Sequence, residues 1–470
     1  MKKLYLINLF VCFLHFAYGQ SLPDRMRIAC RKLEQDPQFR HAIFSIAILD
    51  AKTGKTIFSR NATLGLAPAS CQKIFTSVAA LDLLGPSFRY NTRLAYDGML
   101  VDGTLDGNLV FIGSGDPSLG SWRWPSSKED SVTSQVISSL KKAGIQKITG
   151  KLLIDESKFS LQPIPGGWIW EDIGNYYGAG SWGLNWHENQ YDLILSAGTR
   201  IDDPVKIVNW QPAFELEGFL NQIRTGEKGS GDNSFIYLAP YGEIGMADGT
   251  IPAGSRDFVI SGSFPNAPKQ FGRIMMEHLK QNQIECGQGV ETAQDKWLSN
   301  KTWPPVSKEL LNIYSPRLDS LNYWFLKKSI NLYGEVFLKT LSSEKSGKGT
   351  TGDGVEILKS FWKKQGIDEG SLNVQDGSGL SPQNRVTADA LVKALQYAKS
   401  RPWYPAFYSA LPEINGMKMK SGSIGGARSF AGYQKSKSNQ EYVFAMIVNN
   451  YEGDASLVVR KMWQVLDLLK

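Results

Sequence analysis

The chain has 470 residues, of which 42% are hydrophobic and 21% are charged. This is the composition of an ordinary globular protein, which excludes a disordered or membrane-embedded chain, and the length predicts two to four domains. The net charge is +7, and the basic residues form no dense stripe. A nucleic-acid partner is therefore not predicted, whereas a mildly basic surface suits an anionic polymer such as a cell wall.

The N-terminus predicts a secretory signal peptide over residues 1–19. Lys2 and Lys3 precede an apolar run that ends near Phe16, and Ala17 and Gly19 are small residues where a signal peptidase cuts. The alternative is an uncleaved anchor, but the run is short for a membrane span. We expect a protein of the periplasm, without a stable transmembrane anchor and at most loosely associated with the membrane or wall. Cleavage lowers the net charge to about +5.

Cysteine and histidine are scarce. After cleavage three cysteines remain, Cys30, Cys71 and Cys286, and the whole chain has four histidines. A Cys30–Cys286 disulfide and three separate thiols both stay open as interpretations. No CxxC or HxxxH spacing is present, so no metal site is predicted. No histidine lies near a nucleophile motif, which disfavours a Ser-His-Asp triad.

The first predicted elements are a helix, a hairpin and a second helix. Residues 23–36 have helical spacing, and residues 41–62 form two apolar strands around a Lys-Thr-Gly turn. The apolar residues that follow recur at i, i+4 and i+7, and Gly85-Pro86 is a stop signal. We therefore expect the second helix to run from about Ser70 to near Leu84.

From Tyr90 to about Leu298 the pattern changes to short alternating runs between Gly and Asp turns, which predicts mostly β insertions. Residues 166–190 within it are dense in aromatic residues and glycine. For the aromatic side chains we favour packing of one domain against another over stacking on sugars.

Helical spacing returns from about Tyr314 and allows a break near Ser329. A buried strand over residues 441–450 and an amphipathic C-terminal helix follow. The inward positions of that helix are Val458, Met462, Val465 and Leu469. Both chain ends thus share a helix-and-sheet pattern that the middle lacks, which indicates one domain with others inserted into it.

The first chemical motif is Ser70-Cys71-Gln72-Lys73. If Ser70 opens the helix, Lys73 lies one turn later on the same face. A desolvated lysine there can act as base towards the serine hydroxyl, and the helix N-terminus adds backbone N–H groups. The motif alone does not distinguish a nucleophile from a helix-capping serine.

Two further motifs follow in order. Ser329-Ile330-Asn331 can point both polar side chains one way only on a break between helices. In Lys420-Ser421-Gly422, on a predicted strand, Lys420 shares a face with Lys418, and Gly422 allows another backbone to approach. The order SxxK, SxN, K-[ST]-G is that of serine penicillin-recognising enzymes. A second Lys-Thr-Gly, at residues 52–54, precedes Ser70 at a hairpin tip and is rejected on order and context.

Beyond these motifs, the chain resembles the D-alanyl-D-alanine carboxypeptidase/endopeptidase family, the low-molecular-mass class C penicillin-binding proteins. The similar segments lie in the family's order from about residue 65 to 433: APASCQKIFTSVAALDLLG, GSGDPSLG, WIWEDIGNYYGAGSWGLN, SPRLDSLNYWFLKKSINLYGE, DGSGLSPQNRVT and KSGSIGGARSFAGY. The resemblance implies an α+β multidomain protein with a penicillin-binding, serine β-lactamase-like α/β sandwich domain and two nested, mostly β inserted domains. The expected limits are 20–88 and 300–470 for the first domain, 89–154 and 256–299 for the second, and 155–255 for the third.

The resemblance also implies catalytic roles. Ser70 would be the acylated nucleophile and Lys73 its general base. Ser329 would relay the proton to the leaving amine, Asn331 would orient the substrate amide, and Lys420 would act electrostatically.

Substrate contacts are expected from residues 421–423. Ser421 and Ser423 would bind the terminal carboxylate of the substrate, with Gly422 between them, and the backbone N–H groups of Ser70 and Ser423 would form the oxyanion hole. Asp155 and Phe159 resemble the inserted-domain residues that approach the peptide side chain in the family. Ser421 stands where Thr is commoner, and Ile330 where a polar residue is common; neither change indicates an inactive enzyme.

The predicted function is a periplasmic serine-type DD-carboxypeptidase, DD-endopeptidase or both, acting without a cofactor on peptidoglycan stem peptides, with β-lactams as covalent inhibitors. The alternatives are a β-lactamase, which is usually compact where this chain has its long insertion, and a catalytically silent peptidoglycan-binding homologue. The sequence leaves the balance of the two peptidase activities and the oligomeric state open.

Overall fold

The computed structural model describes residues 21–470, so the predicted signal peptide over residues 1–19 lies outside the described residues. Its helices are α1 (Leu22–Glu34), α2 (Lys73–Leu83), α3 (Glu129–Ala143), α4 (Trp170–Ile173), α5 (Ala267–Gln281), α6 (Ala293–Leu298), α7 (Leu318–Lys327), α8 (Asn331–Ser346), α9 (Thr351–Lys364), α10 (Ala388–Lys399), α11 (Tyr404–Ala410) and α12 (Ala455–Leu466).

The strands are β1 (Ile43–Asp50), β2 (Thr56–Arg60), β3 (Asn91–Tyr96), β4 (Met99–Val101), β5 (Thr104–Asp106), β6 (Leu109–Ile112), β7 (Lys147–Ile148), β8 (Leu152–Asp155), β9 (Gln190–Ser196), β10 (Lys206–Gln211), β11 (Gly218–Asn221), β12 (Arg224–Gly226), β13 (Asn233–Tyr237), β14 (Ile244–Pro252), β15 (Phe258–Ser263), β16 (Glu285–Cys286), β17 (Val290–Thr292), β18 (Lys308–Tyr314), β19 (Leu372–Asn373), β20 (Arg385–Val386), β21 (Glu413–Ile414), β22 (Met417–Ile424), β23 (Ala427–Lys435) and β24 (Glu441–Asn449).

Both ends of the chain build one antiparallel sheet in the order β2-β1-β24-β23-β22-β21. Strand β24 lies between β1 and β23 and is apolar almost throughout, because helices cover both faces of the sheet. Val443 and Ala445 point into the core on one face, whereas Phe444 and Met446 point into the core on the other. The predicted hairpin over residues 41–62 is confirmed as β1 and β2.

One face of this sheet packs against α1 and α12, and the other against a layer that includes α2, α7, α8, α9 and α10. The predicted inward side chains of the C-terminal helix segment are all buried: Val458, Met462, Val465 and Leu469. Helix α2 lies inside the second layer and is buried from Lys73 to Leu81. The polar side chains between Lys73 and Leu81 are therefore removed from water, which matters for the chemistry below.

The middle of the chain forms further sheets with cores of their own. Strands β17-β8-β6-β3-β18 and β16-β7-β5-β4 share a core with α3 and α5. Strands β10-β9-β15 and the sheet around β14 enclose another core. The sequence pattern predicts mostly β structure in this region, and the structure adds the two long helices α3 and α5.

Strand pairing refines the expected domain limits. Strand β15 pairs with β9, which lies within 155–255, although residues 256–299 were expected to belong to the second domain. Strand β18 pairs with β3, although it lies beyond residue 300. We therefore propose that these boundaries lie just after β15 and just after β18. The sequence does not indicate them, because backbone pairing between distant strands leaves no mark in local composition.

Two further observations concern the surface and the cysteines. No helix among residues 21–470 is both long and apolar enough to cross a membrane. The thiols of Cys30, Cys71 and Cys286 are free, and the first two are buried. The structure therefore has three separate thiols rather than the Cys30–Cys286 disulfide, and burial raises the pKa of Cys30 to about 12.

Candidate active site

Ser70 lies in a tight 3-10 turn, Ala69–Gln72, that leads directly into α2. The predicted helix is thus present, with its first turn wound more tightly than an α-helix, and no side chain caps it. Ala69, immediately before the serine, has a left-handed backbone with φ of 46°. This conformation is uncommon for a residue with a side chain and is typical of functional turns.

Lys73 is fully buried, and its amine has three partners. The Nζ atom lies 2.9 Å from Ser70 Oγ, 2.7 Å from Asn331 Oδ1 and 2.8 Å from the carbonyl oxygen of Ser378. Burial, followed by the positive charge of Lys420, holds the pKa of Lys73 well below its usual range. A neutral amine in contact with a serine hydroxyl can accept its proton, which is the chemistry that the SxxK spacing predicts.

Ser329 and Asn331 lie at the predicted break between helices. Helix α7 ends at Lys327 and α8 begins at Asn331, while Ser329 has φ of 59°. The amide of Asn331 accepts from Lys73 and donates to the carbonyl of Tyr177 at 2.7 Å. Asn331 therefore connects the base to a residue of the inserted region. Ile330 packs partly against the core and also lines the cleft described below.

Strand β22 brings Lys420 to the same place. Its side chain is buried on the face of the sheet that carries α2, whereas Met419 is buried on the opposite face. The Nζ atom donates to the carbonyl of Ser421 at 2.7 Å, and Cys71 Sγ contacts the carbonyl of Lys420 at 3.2 Å. Burial lowers the pKa of Lys420 to about 8.

Gly422 is where β22 touches the turn of Ser70. A Cβ atom on Gly422 would lie 2.3 Å from Ser429 Oγ, 2.4 Å from the carbonyl oxygen of Pro68 and 2.9 Å from the backbone nitrogen of Ser70. The strand and the turn are therefore in backbone contact, as the predicted role of this glycine requires.

A cleft of about 880 Å³ runs past these residues. Ser70, Ser329, Asn331 and Ser423 line it, whereas the side chain of Ser421 is half-buried and is not part of the lining. The inserted region contributes Ile169, Glu171, Asp172, Tyr176, Tyr177 and Phe235. Burial, followed by the charge of Glu171, raises the pKa of Asp172 to about 6, so this part of the wall is still negative at neutral pH.

Asp155 and Phe159, the expected contacts of the inserted domain, are not in this lining. Phe159 is only 2% exposed, and its ring packs against Gly115. Asp155 lies at the end of β8, accepts from the backbone of Ser157 at 3.0 Å and faces a separate cavity. After β8 both side chains lie away from the cleft, and the inserted region lines it with Asp172 and Tyr177 instead.

The segment that follows β19 supplies residues that the sequence did not single out. Asp376 is fully buried and accepts from the backbone of Gly379 at 2.8 Å and of Ser381 at 2.7 Å. Trp168 Nε1 also donates to the carboxylate of Asp376, at 2.9 Å. This aromatic side chain therefore contributes to packing between segments, as expected. The only sequence signal was that these residues lie in DGSGLSPQNRVT, a family-like segment without an assigned role.

The rejected Lys52-Thr53-Gly54 lies in the turn between β1 and β2. Asp50 accepts there from the backbone of Lys52 and Thr53 at 3.1 and 2.7 Å. The motif is turn chemistry, and none of its residues lines the cleft.

Comparison with known proteins agrees with this geometry. The family model described as D-Ala-D-Ala carboxypeptidase 3 (S13) family matches residues 27–418. A D-alanyl-D-alanine carboxypeptidase of Actinomadura sp. (strain R39) is 26% identical, with 91% of this chain and 81% of the relative covered. The D-alanyl-D-alanine carboxypeptidase DacB of Haemophilus influenzae is 26% identical, covering 97% and 95%.

A solved structure shows the same fold. The crystal structure of penicillin binding protein 4 (dacB) from Haemophilus influenzae superimposes with a TM-score of 0.80 at 24% identity, over 95% of this chain and 99% of that chain. The predicted class, a penicillin-binding domain with inserted domains, is thereby confirmed.

Proposed function

Because the chain belongs to the D-Ala-D-Ala carboxypeptidase 3 (S13) family, and so is a serine-type peptidase, we propose that it cleaves peptidoglycan stem peptides in the periplasm through an acyl-enzyme at Ser70. The observation that carries this proposal is the buried amine of Lys73 at 2.9 Å from Ser70 Oγ. The bond cut is the terminal D-Ala–D-Ala amide in the carboxypeptidase reaction. In the endopeptidase reaction it is the D-Ala–diaminopimelate amide of a cross-link.

Acylation begins when Ser70 Oγ attacks the carbonyl carbon of the D-alanine on the acyl side of the scissile amide. The neutral amine of Lys73 takes the hydroxyl proton. The carbonyl oxygen becomes an oxyanion, which accepts from the backbone N–H groups of Ser70 and Ser423. Collapse breaks the C–N bond, and the proton passes through Ser329 to the leaving amine. Water then attacks the ester and restores the Ser70 hydroxyl.

The charges around the cleft suit such a substrate. The buried amine of Lys420 would favour the terminal carboxylate of the substrate, and Arg428 lines the cleft. Glu171 and Asp172 form a negative wall on the inserted region, which suits the ammonium group of a stem-peptide side chain. The presence of groups of both signs supports a zwitterionic peptide as substrate.

The direct test is intact-protein mass spectrometry after incubation with a penicillin. We expect a gain equal to the full mass of the penicillin, because ring opening releases no leaving group, and we expect none in Ser70→Ala. Absence of an adduct in the unmodified protein, or its persistence in the variant, would refute the assignment. Rapid loss of the adduct with turnover of penicillin would instead indicate a β-lactamase.

The two peptidase reactions are separated by a digest of purified peptidoglycan. Release of free D-alanine reports the carboxypeptidase reaction, and conversion of cross-linked dimers to monomers reports the endopeptidase reaction. A protein that binds muropeptides and yields neither product would be a silent homologue.

A further inference from the structure

Helix α8 carries three buried polar side chains at intervals of four residues, Asn331, Glu335 and Lys339. The first contacts Lys73, and the last donates to the carbonyls of Gln162 and Ser181 at 2.7 and 2.9 Å. Glu335 lies between them, is fully buried and has no part in the reaction described above.

Glu335 holds a single backbone group. Its two carboxyl oxygens lie 3.2 and 3.0 Å from the backbone nitrogen of Gly377. On the other side of that residue, Thr76 Oγ1 of α2 donates to the carbonyl of Gly377 at 2.7 Å. The helix also touches the loop directly, since a Cβ atom on Gly377 would lie 2.2 Å from the carbonyl oxygen of Gly334. Gly377 is therefore fixed from both sides.

The next residue along the chain is part of the proton-transfer site. The carbonyl of Ser378 accepts from Lys73 Nζ at 2.8 Å and is one of the three partners that direct this amine. The amine must stay aimed at Ser70 Oγ, 2.9 Å away, for proton transfer. A carbonyl one residue beyond Gly377 can hold that direction only if Gly377 itself does not move.

We propose that Glu335 is a positioning residue for acylation: by accepting the N–H of Gly377 it fixes the Ser378 carbonyl, which in turn keeps the amine of Lys73 aimed at Ser70. This inference rests on the proposed acylation of Ser70. It assigns Glu335 a role through its hydrogen bond rather than through its charge.

The surroundings of Glu335 agree with such a role. The charged groups that act on it are Asp376 in the loop, Lys73 on α2 and Lys339 on its own helix. Burial, followed by Asp376, raises the pKa of Glu335 and so favours its neutral form. A glutamine retains one oxygen that can accept the N–H of Gly377, whereas a leucine of similar size retains none.

The test measures acylation by a fluorescent penicillin over a range of concentrations, which separates the dissociation constant of the first complex from the acylation rate constant. In Glu335→Leu we expect the rate constant to fall roughly tenfold or more, because a small misplacement of a catalytic group suffices for such losses. The dissociation constant should stay within about twofold of the unmodified value, and Glu335→Gln should keep its rate constant within about threefold.

Ser342→Ala is the matched control, since Ser342 is also fully buried on α8 but contacts Asp353, away from the cleft. Thr76→Val removes the other hydrogen bond to Gly377 and should reproduce the signature of Glu335→Leu, which keeps the test decisive if the leucine variant does not fold. An unchanged acylation rate constant in Glu335→Leu would overturn the proposal. If Glu335→Leu does not fold, an unchanged rate constant in Thr76→Val would overturn it. So would an equal loss in Glu335→Gln, which would indicate a role of charge, or in Ser342→Ala. If the unmodified protein is not labelled at Ser70, the proposed function itself fails, and this role with it.

Discussion

Replacing Gly422 with alanine should disable the enzyme by moving two backbones apart. The new Cβ atom would lie 2.4 Å from the carbonyl oxygen of Pro68, where ordinary contact begins at 3.4 Å, so strand β22 or the Ser70 turn must shift by roughly 1 Å. The hydroxyl of Ser429, at 2.3 Å from the same atom, can rotate away, but the Pro68 carbonyl belongs to the turn that carries Ser70.

A displacement of 1 Å at a reacting group lowers rates by up to about 10²-fold, which corresponds to about 2.7 kcal/mol in the barrier. Overpacking of this kind also lowers the free energy of unfolding by about 1–3 kcal/mol. We therefore expect Gly422→Ala to remain folded at 25 °C and to acylate roughly 100-fold more slowly. The measurement is the second-order rate constant of labelling by a fluorescent penicillin, with circular dichroism to follow folding.

Gly218→Ala is the matched control, because it is also a strand glycine but its Cβ atom would meet only Ile244 Cγ2, at 3.9 Å. It should label at the unmodified rate. If Gly422→Ala labelled at that rate too, the contact between β22 and the Ser70 turn would not limit the site, and the reasoning would be refuted.

Three further outcomes are expected. The pKa of Lys420 is about 8, so its ammonium form is lost as the pH passes 8. The KM for peptides with a free terminal carboxylate should then rise, whereas the KM for an amidated analogue should not. If both KM values rose in parallel, Lys420 would not bind the carboxylate. Ser421→Ala should lower the rate of acylation by carboxylate-terminated substrates more than it lowers the rate of acylation by small activated esters. Equal losses would contradict the role assigned to Ser421. Burial lowers the pKa of Lys339 to about 7, so the folded state binds fewer protons than the unfolded state from about pH 7 to pH 10. The free energy of unfolding should therefore rise with pH over that window, less so in Lys339→Met, and identical slopes in urea titrations would disprove this origin.

The sequence predicts the elements around Ser70, Ser329 and Lys420 because their signals are local. Apolar spacing places a helix after Ser70 and a break at Ser329, and alternation along β22 places Lys420 on one face with Lys418. The order of the three motifs excludes the Lys-Thr-Gly at residues 52–54. None of these inferences requires knowledge of how distant segments pack.

The features that local signals do not place have the opposite character. Asp155 and Phe159 were carried over from a family-like segment, but the direction of their side chains depends on a turn that packs Phe159 beneath Gly115. Glu335 looks in the sequence like any helical glutamate, and only tertiary packing buries it against Gly377. The pairing of β18 with β3 across two inserted segments is likewise invisible to local pattern.

The pairing of β1 with β24 has a consequence for how the protein acquires its shape. Ile43 lies opposite Asn449, so the central strand pair joins residues about 400 positions apart. The middle sheets pair strands much nearer in sequence and can form while the chain is still emerging, whereas β1 must wait for the last strand. A partly folded chain would thus carry Ser70 and Lys73 before the sheet that aligns them exists, and the nucleophile would stay inactive until the C-terminal strands have paired.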